Sequence, residues 1–262
     1  MTARALVGLP LLTGLLLTGC TYATGGRGMI PVGAGDVVDT WKHRVQVEPQ
    51  NVTSPEGVVI YIHGCNGLGT LPGILYPDTR AWVQTITQAG WRFVAPDSWA
   101  RGTWNRPDGC TGDPETARAI RLLRLEEIAY AVRQLAADPT VAHKRIVLLG
   151  HSEGGLAVAT AAPPPTVVAI VISGWMCHSI IPQGVGIAAP PNIPVLALAF
   201  EHDSFIAHGT HNTIPPGRCS EFFPGRAHAT ELIIPGEGHT TGAHSEARQA
   251  VVKFLGSLGG RR

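Results

Sequence analysis

The chain has 262 residues and 27.6 kDa, enough for one large domain with a sizeable core. Its 44% hydrophobic content excludes a disordered protein. Twenty Lys and Arg face nineteen Asp and Glu with no run of either sign, which excludes a nucleic-acid-binding surface and points to a small or neutral partner.

The first element in chain order is a leader. Arg4 precedes an apolar run from Ala5 to Thr18, then small residues and Cys20. The run is short for a bilayer-spanning helix and has the layout of an export signal. The ending "LTGC" resembles the lipobox of bacterial lipoproteins, whose cysteine is lipidated and becomes the first mature residue. That resemblance implies an exported, membrane-anchored lipoprotein of the bacterial envelope, on the periplasmic side or the cell surface. An ordinary signal peptide cut nearby, or a tethering helix, is the alternative. With Cys20 set aside for lipid, Cys65, Cys110, Cys177 and Cys219 form an even set in an oxidising compartment, with three connectivities open. Residues 21–40 are glycine-rich without apolar periodicity and read as a tether. The division expected is therefore 1–20 signal, 21–40 tether and 41–262 a single domain.

From residue 41 short apolar runs alternate with longer helical patterns. "HRVQVE" (43–48) alternates like a half-exposed strand. "VVIYIH" (58–63), "WRFVAP" (91–96), "RIVLLG" (145–150), "VVAIVIS" (167–173), "PVLALAF" (194–200) and "TELIIP" (230–235) are nearly continuous, as buried parallel strands are. Residues 115–137 set Ile120, Leu123, Ile128, Ala131 and Leu135 on one helical face, with arginines and glutamates elsewhere. Ala247, Ala250, Val251, Phe254 and Leu258 do the same near the end. Alternating strands and helices predict an α/β fold with a mostly parallel sheet and helices on both faces.

"GHSEG" (150–154) carries Gly-x-Ser-x-Gly at the end of one predicted strand, before the helix-compatible "EGGLAVATAA". In a chain with 32 glycines the pattern alone decides little; its position decides more. Flanking glycines let strand and helix approach while Ser152 takes a strained conformation beside the helix N-terminus. In this the chain resembles the α/β-hydrolases over about residues 57–258, and more narrowly the dienelactone hydrolase family.

The resemblance implies partners in the order serine, acid, histidine. A serine hydroxyl needs a base, and the base an orienting carboxylate. "EHDSF" follows the strand at 194–200, and "GEGHTTGAH" follows the one at 230–235. Asp203 matches the family's acid and His239 its base; Glu201 and His244 are the competitors, while His208, His211 and His228 read as surface residues. The loop "HGCNGLG" resembles a family oxyanion loop and implies backbone N–H donors at Cys65 and Glu153. "PDSWARGTWNRPDGC" resembles a stretch of secreted members with a downstream cysteine, which implies a Cys65–Cys110 bridge; Cys177–Cys219 is the matching second pair.

The implied activity is cleavage of carboxylic esters or lactones through an acyl-enzyme, with no cofactor or metal and a small-molecule ester as partner. Founding family members carry a cysteine nucleophile where this chain has Ser152, which argues against dienelactone itself. The segment between Gly174 and Pro194 is too short for a lid of several helices. Trp99, Arg101, Trp104, Trp175 and Met176 are candidates for the pocket wall, although Arg101 also suits a structural salt bridge. Glu153 suits the helix dipole; contact with His239 or substrate is its other reading. A peptidase of the prolyl oligopeptidase kind, a non-catalytic envelope lipoprotein using the fold for binding, and a metal site among the histidines at 202–244 are the alternatives. Oligomeric state is not encoded legibly.

Overall fold

The structure, a computed structural model, describes residues 35–50, 52, 54–71, 73–101, 114–141, 145–203, 205 and 217–259. Seven strands form one sheet: β1 (Val45–Val47), β2 (Gly57–Ile62), β5 (Arg92–Ala95), β6 (Arg145–His151), β7 (Val167–Ser173), β8 (Val195–Asp203) and β9 (Ala229–Gly238). Their spatial order is β1-β5-β2-β6-β7-β8-β9, with only β1 antiparallel to its neighbour. Each apolar run singled out above overlaps one of these strands. A small hairpin, β3 (Gly69–Leu71) and β4 (Ile74–Leu75), stands apart.

The continuous runs are explained by two covered faces. Val58, Ile60 and Ile62 enter one core layer, while Val59 and Tyr61, between them on the same strand, enter the other. The first layer is closed by α3 (Pro114–Ala137) and α4 (Glu153–Thr160). The second is closed by α2 (Pro77–Gln88) and α5 (Ser245–Gly259). Helix α2 starts with proline at its first turn and buries Trp82 and Ile86, a pattern too sparse to stand out in the sequence.

Two expectations need correction. Helix α1 (Val37–Lys42), capped by the Asp36 side chain, begins inside the segment read as tether and buries Val37 and Thr40. Helix α3 does bury Ile120, Leu123, Ile128, Ala131 and Leu135, but Arg124 and Glu127 share that face and are just as buried. Among the described residues no helix is long and apolar enough to cross a membrane. The residues of the expected leader lie outside those described.

Candidate active site

Strand β6 ends at His151 and α4 begins at Glu153, so Ser152 is the whole turn between them. Its backbone sits at φ 56° and ψ −118°, in the half of conformational space that non-glycine residues seldom enter. The flanking glycines are required by contact rather than by flexibility. A Cβ on Gly150 would lie 2.1 Å from the Gly154 carbonyl oxygen, and one on Gly154 would lie 2.0 Å from that of Ile62. Strand, turn and helix are thus packed backbone against backbone, and the Ser152 N–H donates to the Ser173 carbonyl at 2.8 Å.

Asp203 and His239 are brought together by sheet register. Parallel pairing of β8 with β9 runs through a bulge after Phe200 to set Asp203 opposite Gly238, one residue before His239. His239 Nδ1 then lies 2.9 and 2.8 Å from the two Asp203 oxygens, and the carboxylate, acceptor only, fixes that nitrogen as the donor. Asp203 is buried and also accepts from the Phe205 N–H at 3.0 Å. Glu201 is exposed, and His244 packs edge-on against Phe200. Among the described residues, two histidines lie with Ser152 along one cavity, and one of them, His239, faces a carboxylate.

The other is His151, which no motif singled out. Its ring centre lies 5.0 Å from that of His239, and its Nδ1 meets the Ser173 hydroxyl at 3.1 Å. Burial, with the nearby His239 adding to it, holds His151 well below the ordinary histidine range, so it is neutral at physiological pH. A positive charge formed on His239 therefore meets no second cation there.

Ser152 and His239 open into one cavity of about 280 Å³. Its walls are the loop Gly64–Gly67, Tyr61, Tyr76, Pro77, Asp78 and Phe205. The Phe205 ring lies over His239 at 4.5 Å between centres, tilted by 30°. Burial raises the Asp78 carboxyl to about 6, opposed by the N–H groups of Gly242 and Ala243 and by His239. None of Tyr61, Tyr76, Asp78 and Phe205 stood out in the sequence, because each joins the cavity only through packing of distant segments.

The expected wall is corrected accordingly. Arg101 is buried and paired with Glu126 at 2.8 Å and Glu127 at 3.5 Å, so it does not reach the cavity. Trp175 lies in the core layer beneath α4, and Met176 beside it is buried. Trp99 is half exposed and packs over Gly67, outside the cavity. Trp104, His208 and His211 lie outside the described residues; His228 is exposed.

The glycine-rich loop after β2 passes tightly against the serine: a Cβ on Gly64 would sit 3.2 Å from Ser152 Cβ. Cys65 follows and is disulfide-bonded; Cys110, its expected partner, lies outside the described residues. Cys177 and Cys219 are bonded to each other, as expected, which fits an oxidising, exported environment. Glu153 turns its carboxylate away from His239 to Arg124 at 3.1 Å. Among the described residues no group of three or more His, Cys, Asp or Glu is arranged to hold a metal ion.

A mostly parallel sheet covered on both faces, a serine on the strand-to-helix turn and an Asp–His pair on later strands match a known architecture. The fold is that of the α/β-hydrolases. Est1E from Butyrivibrio proteoclasticus, solved with ferulic acid bound, shares this α/β-hydrolase fold at TM-score 0.55 and 15% identity, over 82% of this chain and 92% of its own. A dienelactone hydrolase from Anabaena variabilis is similar at TM-score 0.51 and 17% identity, over 82% and 88%. The esterase PE8 is similar at TM-score 0.53 and 18% identity, over 82% and 97%. No family model matches the sequence, nor does any curated protein.

Proposed function

We propose that the protein is a serine hydrolase of the dienelactone hydrolase-like kind that cleaves carboxylic esters or lactones. The observation that carries this reading is the cavity shared by Ser152, on its strained turn, and His239, whose other nitrogen is held by Asp203. Structural neighbours named as an esterase and a dienelactone hydrolase support it.

Ser152 Oγ attacks the ester carbonyl carbon while its proton passes to His239 Nε2. The carbonyl π electrons move to oxygen, where the N–H groups of Cys65 and Glu153 stabilise the oxyanion. Collapse of the tetrahedral adduct expels the alcohol, which leaves with the proton from His239. Water then repeats the sequence on the acyl-serine, releasing the acid and restoring Ser152. Asp203 holds the imidazole in the tautomer that can accept at Nε2 and stabilises the imidazolium once formed. An ester is favoured over an amide because an alkoxide is the better leaving group. Attachment to the bacterial envelope through a lipidated Cys20 is part of the same proposal.

The test is initial-rate hydrolysis of short-chain esters by residues 21–262. Ser152→Ala is expected to lower kcat/KM by about four orders of magnitude or more. Turnover near the parent's would overturn the mechanism.

A further inference from the structure

The elbow faces the substrate cavity on one side. On the other lies a sealed cluster of charges that the proposed mechanism does not use. Arg124, on the buried face of α3, has 0% exposure. Its Nε and Nη2 both donate to Glu153 Oε1 at 3.1 Å, and Nη2 also donates to the Gly64 carbonyl oxygen at 3.2 Å. Its Nη1 donates to Ser98 Oγ and lies 3.4 Å from Glu127 Oε2. The guanidinium nitrogens also lie 3.2 Å from the His63 ring nitrogens. His63 Nε2 accepts from the Ser98 N–H, so its Nδ1 carries the proton and donates to the same Gly64 oxygen at 2.6 Å.

The Gly64 carbonyl belongs to the peptide unit whose N–H is that of Cys65. In a trans peptide the two point in opposite directions, so donors fixed on the oxygen fix the line along which the Cys65 N–H points. A cation on that oxygen also polarises the whole amide and strengthens its N–H as a donor. The same guanidinium holds the side chain of Glu153, whose own N–H is the other proposed donor. One buried cation thus reaches both arms of the oxyanion hole from behind.

We propose that Arg124 is a positioning residue that aims and polarises the oxyanion hole by gripping the Gly64 carbonyl and the Glu153 carboxylate together. The inference rests on the hydrolase reading above and adds to it a residue more than twenty positions from any other site residue in sequence. Glu127, in the same cluster, serves a different purpose. Burial raises its carboxyl, with Arg124 opposing, and its contacts run to Ser98, Arg101 and Arg124 rather than to either arm of the hole.

The test compares Arg124→Lys, Arg124→Met and Glu127→Gln. Each is measured for ester kcat and KM, for affinity toward an alkyl trifluoromethyl ketone, and for melting temperature. The ketone takes the Ser152 oxygen at its carbonyl carbon, passes the serine proton to His239 and leaves its oxygen as an anion in the hole. Arg124→Lys keeps the charge but lacks the planar fork. It is expected to lower kcat and ketone affinity together by roughly tenfold to a hundredfold, below the loss of a whole oxyanion donor, with KM changed less than threefold. Glu127→Gln is expected to lower the melting temperature while holding kcat within about twofold. Parental kcat and ketone affinity in folded Arg124→Lys would overturn the proposal. So would an equal loss of kcat in Glu127→Gln, which would make the cluster merely structural. Arg124→Met removes the cation that lies between Glu127 and Glu153; should it not fold, Arg124→Lys still decides. Failure of the parent to turn over esters or bind the ketone would instead overturn the hydrolase reading itself.

Discussion

The two flanks of Ser152 are built from different physics. On the cavity side Asp203 is matched to one imidazole, and the neighbouring His151 is kept neutral by burial. On the far side Arg101, Arg124, Glu127 and Glu153 form a connected set of charges, the first three of them buried. In the proposed mechanism the first arrangement lets a proton move between Ser152 and His239, while the second ties side chains to the backbone behind the serine.

The sharpest way to break this contrast is to remove the charge that faces His239. Asp203→Asn leaves the shape intact but favours the wrong imidazole tautomer, and is expected to lower kcat by about 10³ to 10⁴. Glu201→Gln, on the exposed neighbour, is expected to stay within about twofold of the parent. Equal losses in the two variants would dissolve the assignment of Asp203.

Covalent support outside both flanks gives a smaller effect. The Cys177–Cys219 bond spans 42 residues, worth up to roughly 4 kcal/mol by restriction of the unfolded chain. Denaturant unfolding of the double alanine variant is expected to show a loss in that range. Because neither cysteine lines the cavity, its esterase activity below the melting temperature is expected to be preserved.

The smallest effect tests the cavity wall. Asp78 is buried and carries a carboxyl raised to about 6, chiefly by desolvation. A carboxyl raised in the folded state holds its proton there after the unfolded chain has released it. Its stabilisation is full below about pH 4 and is lost as pH rises through about 6. Asp78→Asn removes that dependence, so the variant is expected to gain on the order of 2 kcal/mol over the parent between pH 4 and pH 7. Parallel stability curves for the two proteins across that range would refute the burial of this charge.

Strands and elbow were legible because their causes are local. Residues 167–172 are apolar throughout since both faces of β7 are covered, and Gly150 and Gly154 mark a turn where any Cβ would strike backbone. Asp203 and His239 were legible because each follows a recognisable strand, and the register does the rest. Arg124 was not. A charged residue in a helix ordinarily faces water, and nothing near it in sequence names Gly64, Ser98 or Glu153 as the partners that allow its burial. The cavity wall failed for a related reason. Trp175 sits just past a strand end, where site residues gather, but the chain turns behind α4 and the ring joins the core. Helix α1 was hidden by the glycines ahead of it, since six residues carry too little periodicity to be seen.

The most direct test of the central claim is reaction of residues 21–262 with a fluorophosphonate, followed by intact mass and peptide mapping. An activated serine is expected to take one probe per chain, at Ser152 alone, with labelling abolished in Ser152→Ala and strongly slowed in His239→Ala. A folded parent that stays unlabelled, or labelling that persists in Ser152→Ala, would contradict the assignment of a catalytic serine to this elbow.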